Sequence, residues 1–177
     1  LQGISAFGID IDPRTVKMAE ENLAWVKQKK ELFASGLKPG SFMLKHGDSV
    51  EPNIYQKFRQ VFDAVVTEGE LGQNYSYEPN EQEVQNELKN LKYIYLKAFR
   101  AFRPTLKKEG YAVICFPFWI GRNEAKPVLL STEILDQLKK MGYSAKPVFS
   151  AGKAASFLYK RTGQFVGREI FVFEKTD

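Results

Sequence analysis

The sequence predicts an α/β fold: a mostly parallel sheet with helices on both faces, closed by an antiparallel hairpin at its carboxyl end. Three observations predict it. Short apolar runs alternate with helical patterns as far as Gly142, and such alternation builds parallel sheets. After Tyr143 the helical spacing stops and strand patterns take over. Those last strands have no crossover helix between them, so they must pair antiparallel.

Leu1 to Ile9 is strand-like and ends in Gly8-Ile9-Asp10. A chain that opens inside a strand is expected to lack its beginning, so the sequence reads as one domain over residues 1–177, incomplete at the amino end. Asp12 can cap a helix with Pro13 in its first turn, and Val16, Ala19, Leu23 and Val26 recur at helical spacing to about Lys30. Gly36 to Gly40 is a loop, Ser41 to Lys45 a short strand and Gly47-Asp48 a turn. VFDAVVT, residues 61–67, reads as a buried strand.

Residues 68–79, EGELGQNYSYEP, follow neither periodicity and form a loop at that strand's carboxyl end. Val84, Leu88, Leu91, Tyr95, Ala98 and Phe102 then make one apolar helical stripe, closed by Pro104. Tyr111 to Phe116 is a buried strand, and Ser131 or Thr132 caps a further helix that ends at Gly142. Strands are expected over Ala145–Phe149, Ser156–Lys160 and Gly167–Glu174.

Composition narrows the chemistry. No apolar run approaches the roughly 18 residues needed to cross a bilayer, and no signal-peptide pattern opens the chain, so the expected location is cytoplasmic. Cys115 is the one cysteine and His46 the one histidine. An internal disulfide is excluded, and no Cys/His metal set is expected. Lys and Arg number 26 against 21 Asp and Glu, a net charge of +5. No acid falls between Gln137 and Arg168, where seven cations do. That tract fits a phosphate-binding face, with Lys153, Lys160, Arg161 and Arg168 as candidate RNA contacts; an ordinary solvated surface has the same pattern.

In open α/β sheets ligands sit beyond the carboxyl ends of the strands. Asp10 stands there and can accept both hydroxyls of a ribose, whereas Asp12, before Pro13, is the better helix cap. Asp48, in His46-Gly47-Asp48-Ser49, could accept from an adenine amine, although Gly-Asp turns are common. Glu68 and Glu70 follow the central strand, where acids are costly unless they face ligand or water.

Together these sites resemble the class I S-adenosylmethionine-dependent methyltransferases. GIDIDPRTVKMAEENL is similar to that family's second strand and helix, GDS to its adenine-side turn and FDAVVTEGELG to its catalytic strand and loop. YKRTGQFVGREIFVFEK resembles the terminal hairpin of the THUMP-associated tRNA guanine-N2 methyltransferases, with Arg161, Gln164, Gly167, Arg168 and Glu169 matching. The resemblance implies a Rossmann-like sheet whose first strand precedes Leu1. It implies S-adenosylmethionine as cofactor, bound by Asp10, Ile11, Asp48 and Ser49, with Ile11 on the adenine face. It further implies RNA, tRNA above all, as partner, and an RNA-binding domain upstream.

Two departures stand out. The family's glycine-rich first loop would lie before Leu1. Its catalytic loop reads Asp or Asn, then Pro-Pro and an aromatic, where this chain has Glu68-Gly69-Glu70-Leu71. Tyr75 or Tyr77 could replace the missing aromatic face, and Gly69→Pro with Leu71→Tyr would be expected to restore the usual loop. The expected function is guanine-N2 methylation of tRNA; the alternative is a non-catalytic RNA-binding module with a degenerate loop. A nicotinamide-dependent oxidoreductase also places an acid after a strand, but the closing hairpin and acidic loop argue against it.

Overall fold

The computed structural model describes residues 3–29, 40–121, 126–149, 152 and 154–176. The chain divides into two compact units, Leu1–Ile54 and Tyr55–Asp177.

In the first unit, strand β1 (Ala6–Asp10) runs into helix α1 (Pro13–Gln28), and strand β2 (Phe42–His46) pairs parallel with β1 from Ala6 opposite Phe42 to Asp10 opposite His46. The helix starts where the sequence placed it: Asp12 is extended and accepts from the Arg14 N–H, and Pro13 needs no partner for a missing N–H. Because β1 and β2 run parallel, their carboxyl ends fall on one edge. The loop expected over residues 36–39 lies outside the described residues.

The second unit holds a six-stranded sheet. Its path is β3 (Phe62–Thr67), β4 (Leu106–Trp119), β8 (Val166–Lys175) and β6 (Tyr143–Lys146), with β5 (Val128–Leu129) paired to β4 and β7 (Ser156–Tyr159) to β8. β3 and β4 are parallel, while β8 runs antiparallel to β4, β6 and β7. Helices α2 (Glu81–Phe102) and α3 (Ser131–Lys140) build the core together with the sheet. α2 opens with a full capping box between Asn80 and Glu83, which satisfies two amide donors at once. Its buried stripe runs through Val84, Leu88, Leu91, Tyr95, Phe99 and Phe102, and Phe99 rather than Ala98 is the fully buried member. Phe99 meets Phe102, Phe116, Tyr143 and Phe173, edge-on to the last two, an arrangement that places ring hydrogens against ring faces.

Burial alternates along all of β8, as a strand with one face on a core requires. Gly167 is fixed by packing: a Cβ there would stand 2.2 Å from the Phe118 ring. Several boundaries differ from the sequence expectation, most of them by one residue; the larger differences lie in β4, β6 and the start of α3. β4 extends at both ends of the expected Tyr111–Phe116. β6 is Tyr143–Lys146 rather than 145–149, because Pro147 has no N–H for a ladder. Neither Ser131 nor Thr132 caps α3. β5 feeds straight into the helix, Leu130 takes the cap position without a side-chain bond, and the Thr132 hydroxyl donates back to the Leu129 carbonyl.

Candidate functional site

The first unit gathers its acids at the carboxyl ends of β1 and β2. The Asp10 Oδ1 accepts from the Asp12 N–H at 2.8 Å, and the Gly47 N–H donates to the Asp10 carbonyl at 2.9 Å. These bonds fix the carboxylate and tie the two strand ends together. Asp12 is occupied as a cap and as an ion-pair partner of Arg14, whose hydrogen bonds hold its carboxyl below the usual range. His46 Nε2 lies 3.0 Å from the Ile11 carbonyl oxygen, so the histidine braces the turn. The Asp48 Oδ1 accepts from the Val50 N–H at 3.0 Å. Ile11 remains 67% exposed, and Ser49 is exposed beside Asp48. Asp10, Ile11, Asp48 and Ser49 are thus placed just past the ends of neighbouring parallel strands, with the apolar Ile11 side chain exposed. Such a donor set fits a nucleoside: carboxylates for hydroxyl and amine hydrogens, an isoleucine for a ring face.

In the second unit the loop after β3 is held from several directions. Arg168, on β8, donates from Nε to Glu68 Oε1. The Glu68 side chain is still 57% exposed, while that of Arg168 is 21% exposed. Glu70 folds back to accept from the Gly72 N–H, and the Thr67 hydroxyl oxygen accepts from the Gly69 N–H. Beneath the loop, the Tyr95 hydroxyl reaches the Glu70 carbonyl and the Cys115 carbonyl. Burial pushes the Tyr95 phenol well above its ordinary value; it pushes the Cys115 thiol up too, with Glu68 adding to that and Arg168 opposing it.

Gly69 has φ of +78°, and a Cβ there would lie 2.5 Å from the Tyr95 hydroxyl. Proline fixes φ near −65°. The expectation that Gly69→Pro would restore a family-like loop is therefore corrected: this backbone cannot take it. Leu71 is partly buried. Of the two candidate aromatics, Tyr75 is buried in the core, whereas Tyr77 is 51% exposed with its hydroxyl bonded to Glu83 at 2.6 Å.

Among the expected RNA contacts, Lys153 lies outside the described residues. Lys160 and Arg161 are exposed in the β7–β8 turn, and Lys160 Nζ donates to the Gln164 carbonyl. Arg168 stands apart from them, on Glu68.

Sequence reasoning missed two residues. From the sequence Tyr95 is only a member of the helix stripe, and nothing in a 3.6-residue period tells which stripe residue sends a hydroxyl to a loop. Trp119, the last residue of β4, helps line a hollow of about 270 Å³ with Glu81, Val84, Val128 and Phe165; its indole N–H is buried without a partner. Among the described residues no cluster of His, Cys, Asp and Glu is arranged to hold a metal, and no helix is long and apolar enough to cross a membrane.

No protein-family model matches the sequence, and no curated protein matches it. Solved structures do. TrmN from Thermus thermophilus is 15% identical, with a TM-score of 0.53 over 96% of this chain and 36% of its own. A SAM-dependent methyltransferase from Methanosarcina mazei is 13% identical, with a TM-score of 0.56 over 98% and 83%. NSun6 from Pyrococcus horikoshii is 11% identical, with a TM-score of 0.57 over 97% and 41%. The fold is the Rossmann-like fold of class I S-adenosylmethionine-dependent methyltransferases. The chain spans about a third of TrmN.

Proposed function

We propose that this protein is an S-adenosylmethionine-dependent methyltransferase acting on the exocyclic amine of an RNA base, with guanine N2 of a tRNA as the acceptor. Glu68 carries the reading: an exposed carboxylate just past the carboxyl end of β3, with one oxygen engaged by Arg168 and Oε2 left to accept from an N–H. The fold shared with TrmN and NSun6 supports an RNA substrate, and the likeness of the closing hairpin to guanine-N2 enzymes supports the base. A cytoplasmic location goes with this reading.

In the first unit, Asp10 would accept the cofactor's ribose hydroxyls, Asp48 its adenine amine, and Ile11 would cover the adenine face. When bound, the cofactor supplies a methyl group on a sulfonium. The chain's own residues orient the acceptor. A guanine amine is a poor nucleophile because its lone pair is delocalised into the ring. Accepting one of its hydrogens at Glu68 Oε2 favours a more tetrahedral nitrogen and fixes its direction of attack. The amine needs no earlier deprotonation, since its proton becomes acidic only as the N–C bond forms, and the carboxylate or water then takes it. Tyr77 is the aromatic left to stack on the base.

The test is single-turnover transfer of labelled methyl to tRNA by the intact protein. Glu68→Gln should keep measurable transfer, because an amide oxygen still accepts. Glu68→Ala should lose roughly 10²-fold, the scale for removing a preorganised polar contact at a reacting centre. An alanine variant equal to wild type would remove Glu68 from the reaction. No transfer by wild type, with tRNA still bound, would make the protein a binding module.

A further inference from the structure

We propose that Arg168 is a positioning residue, which holds the Glu68 carboxylate in place for the acceptor amine and makes no contact with RNA phosphate. The inference rests on the methyltransferase reading.

The two side chains belong to very different backbones. Arg168 sits in β8, laddered on both sides, opposite Pro117 of β4 and Tyr159 of β7. Glu68 begins a loop whose first residues are tied by short-range bonds and by the Tyr95 hydroxyl. A side chain on a strand laddered on both sides is the better-anchored partner and can order one in a loop. Arg168 donates through Nε to Oε1, which leaves the other oxygen, Oε2, to accept from a ligand. A long glutamate loses more freedom when ordered than an aspartate does. It stands where the resembled family has Asp or Asn, so this chain has a particular need for such a hold. An RNA phosphate at Arg168 would have to displace a carboxylate already in place and would lie beside its negative charge, whereas Lys160 and Arg161 stand exposed without that competition.

The experiment compares wild type, Arg168→Lys, Arg168→Met, Glu68→Ala and the Glu68→Ala/Arg168→Met double variant. Three readouts are taken: single-turnover transfer, tRNA affinity against salt, and amide exchange over residues 68–72 without cofactor or RNA. Arg168→Met should slow transfer about 10- to 100-fold, the cost of a reacting group displaced by an ångström or so. Lysine should recover part of this. The double variant should be no slower than Glu68→Ala alone, because Arg168 acts through Glu68. Affinity and salt slope should not move, and exchange at Gly69 should quicken in Arg168→Met.

Multiplicative losses in the double variant would overturn the proposal. So would a salt slope reduced by about 0.7 to 0.9, which is one phosphate contact. Unchanged exchange at Gly69 would overturn it without reference to catalysis. Absence of transfer by wild type would instead defeat the methyltransferase reading itself, and exchange would still report whether Arg168 holds the loop.

Discussion

The Tyr95 hydroxyl stands 2.8 Å from the Glu70 carbonyl oxygen and 2.8 Å from the Cys115 carbonyl oxygen, so one phenol on α2 ties the loop after β3 to strand β4. It has one hydrogen and donates to one carbonyl at a time. Tyr95→Phe removes that bond and keeps the ring packed on Phe116. The expected cost is about 1 kcal/mol at neutral pH, the usual net value of a protein hydrogen bond. The pH dependence has a defined sign. Burial raises the folded-state pKa of Tyr95 above its unfolded value near 10. Its contribution is therefore complete below about pH 10 and is lost as pH rises further. Denaturant melts across the alkaline range should show a shallower decline for Tyr95→Phe than for wild type. Equal slopes would mean that the buried phenol does not set the alkaline limit.

Gly69 supplies the second prediction. At φ +78°, with the Tyr95 hydroxyl where a Cβ would go, alanine is both strained and crowded. Gly69→Ala should destabilise by roughly 1 to 3 kcal/mol, and Gly69→Pro by more. Methyl transfer by Gly69→Pro should fall below wild type instead of rising. Thermal melts and single-turnover transfer check both, and a proline variant as stable as wild type would show that the loop can rebuild around Tyr95.

These two residues also mark where sequence reasoning stopped. Gly8-Ile9-Asp10 and Asp12-Pro13 were legible because strand, cap and first-turn signals are local. The placing of Asp10 and Asp48 at neighbouring strand ends was legible because parallel strands deliver their carboxyl ends to one edge. The Val84 to Phe102 stripe was legible because burial enforces its period, yet that period gave Tyr95 only a core role. The Arg168 contact to Glu68 joins residues 100 apart in sequence. It depends on β8 lying beside β4, which no local pattern specifies, so Arg168 was counted with the basic tract. The φ of Gly69 was hidden for a different reason: glycine permits many conformations and signals none of them.

Asp10 and Asp12 make a paired prediction in the first unit. Both are acids in the same turn, but Asp12 is spent on the Arg14 N–H and guanidinium, while Asp10 binds one backbone N–H through Oδ1. Asp12→Ala should lower stability, as loss of a helix cap does. It should leave the affinity of the folded intact protein for S-adenosylmethionine nearly unchanged. Asp10→Ala should weaken that affinity at least about tenfold, equivalent to roughly 1.4 kcal/mol of carboxylate-to-hydroxyl bonding. Calorimetric titration separates the two, and equal affinity loss in both variants would place the nucleoside elsewhere.

Cys115 offers a chemical reporter of the charges around the loop. It lies on β4, its carbonyl shared with Tyr95, and burial is the chief reason its thiol is held above the ordinary value. The Glu68 carboxylate raises it further and the Arg168 guanidinium lowers it. Only the thiolate reacts with iodoacetamide, so alkylation near neutral pH should be slow compared with a free thiol. Glu68→Gln removes a negative charge, stabilises the thiolate and should shift the midpoint of the rate–pH curve downward. The same substitution weakens the hold of Arg168 and could simply open the loop to reagent. The two effects part at high pH, where the thiol is fully ionised: access changes the plateau rate, and charge changes the midpoint. A lower midpoint at an unchanged plateau is the expected result. A raised plateau with the midpoint unmoved would mean that Glu68 shields Cys115 sterically and that its charge does not reach the sulfur.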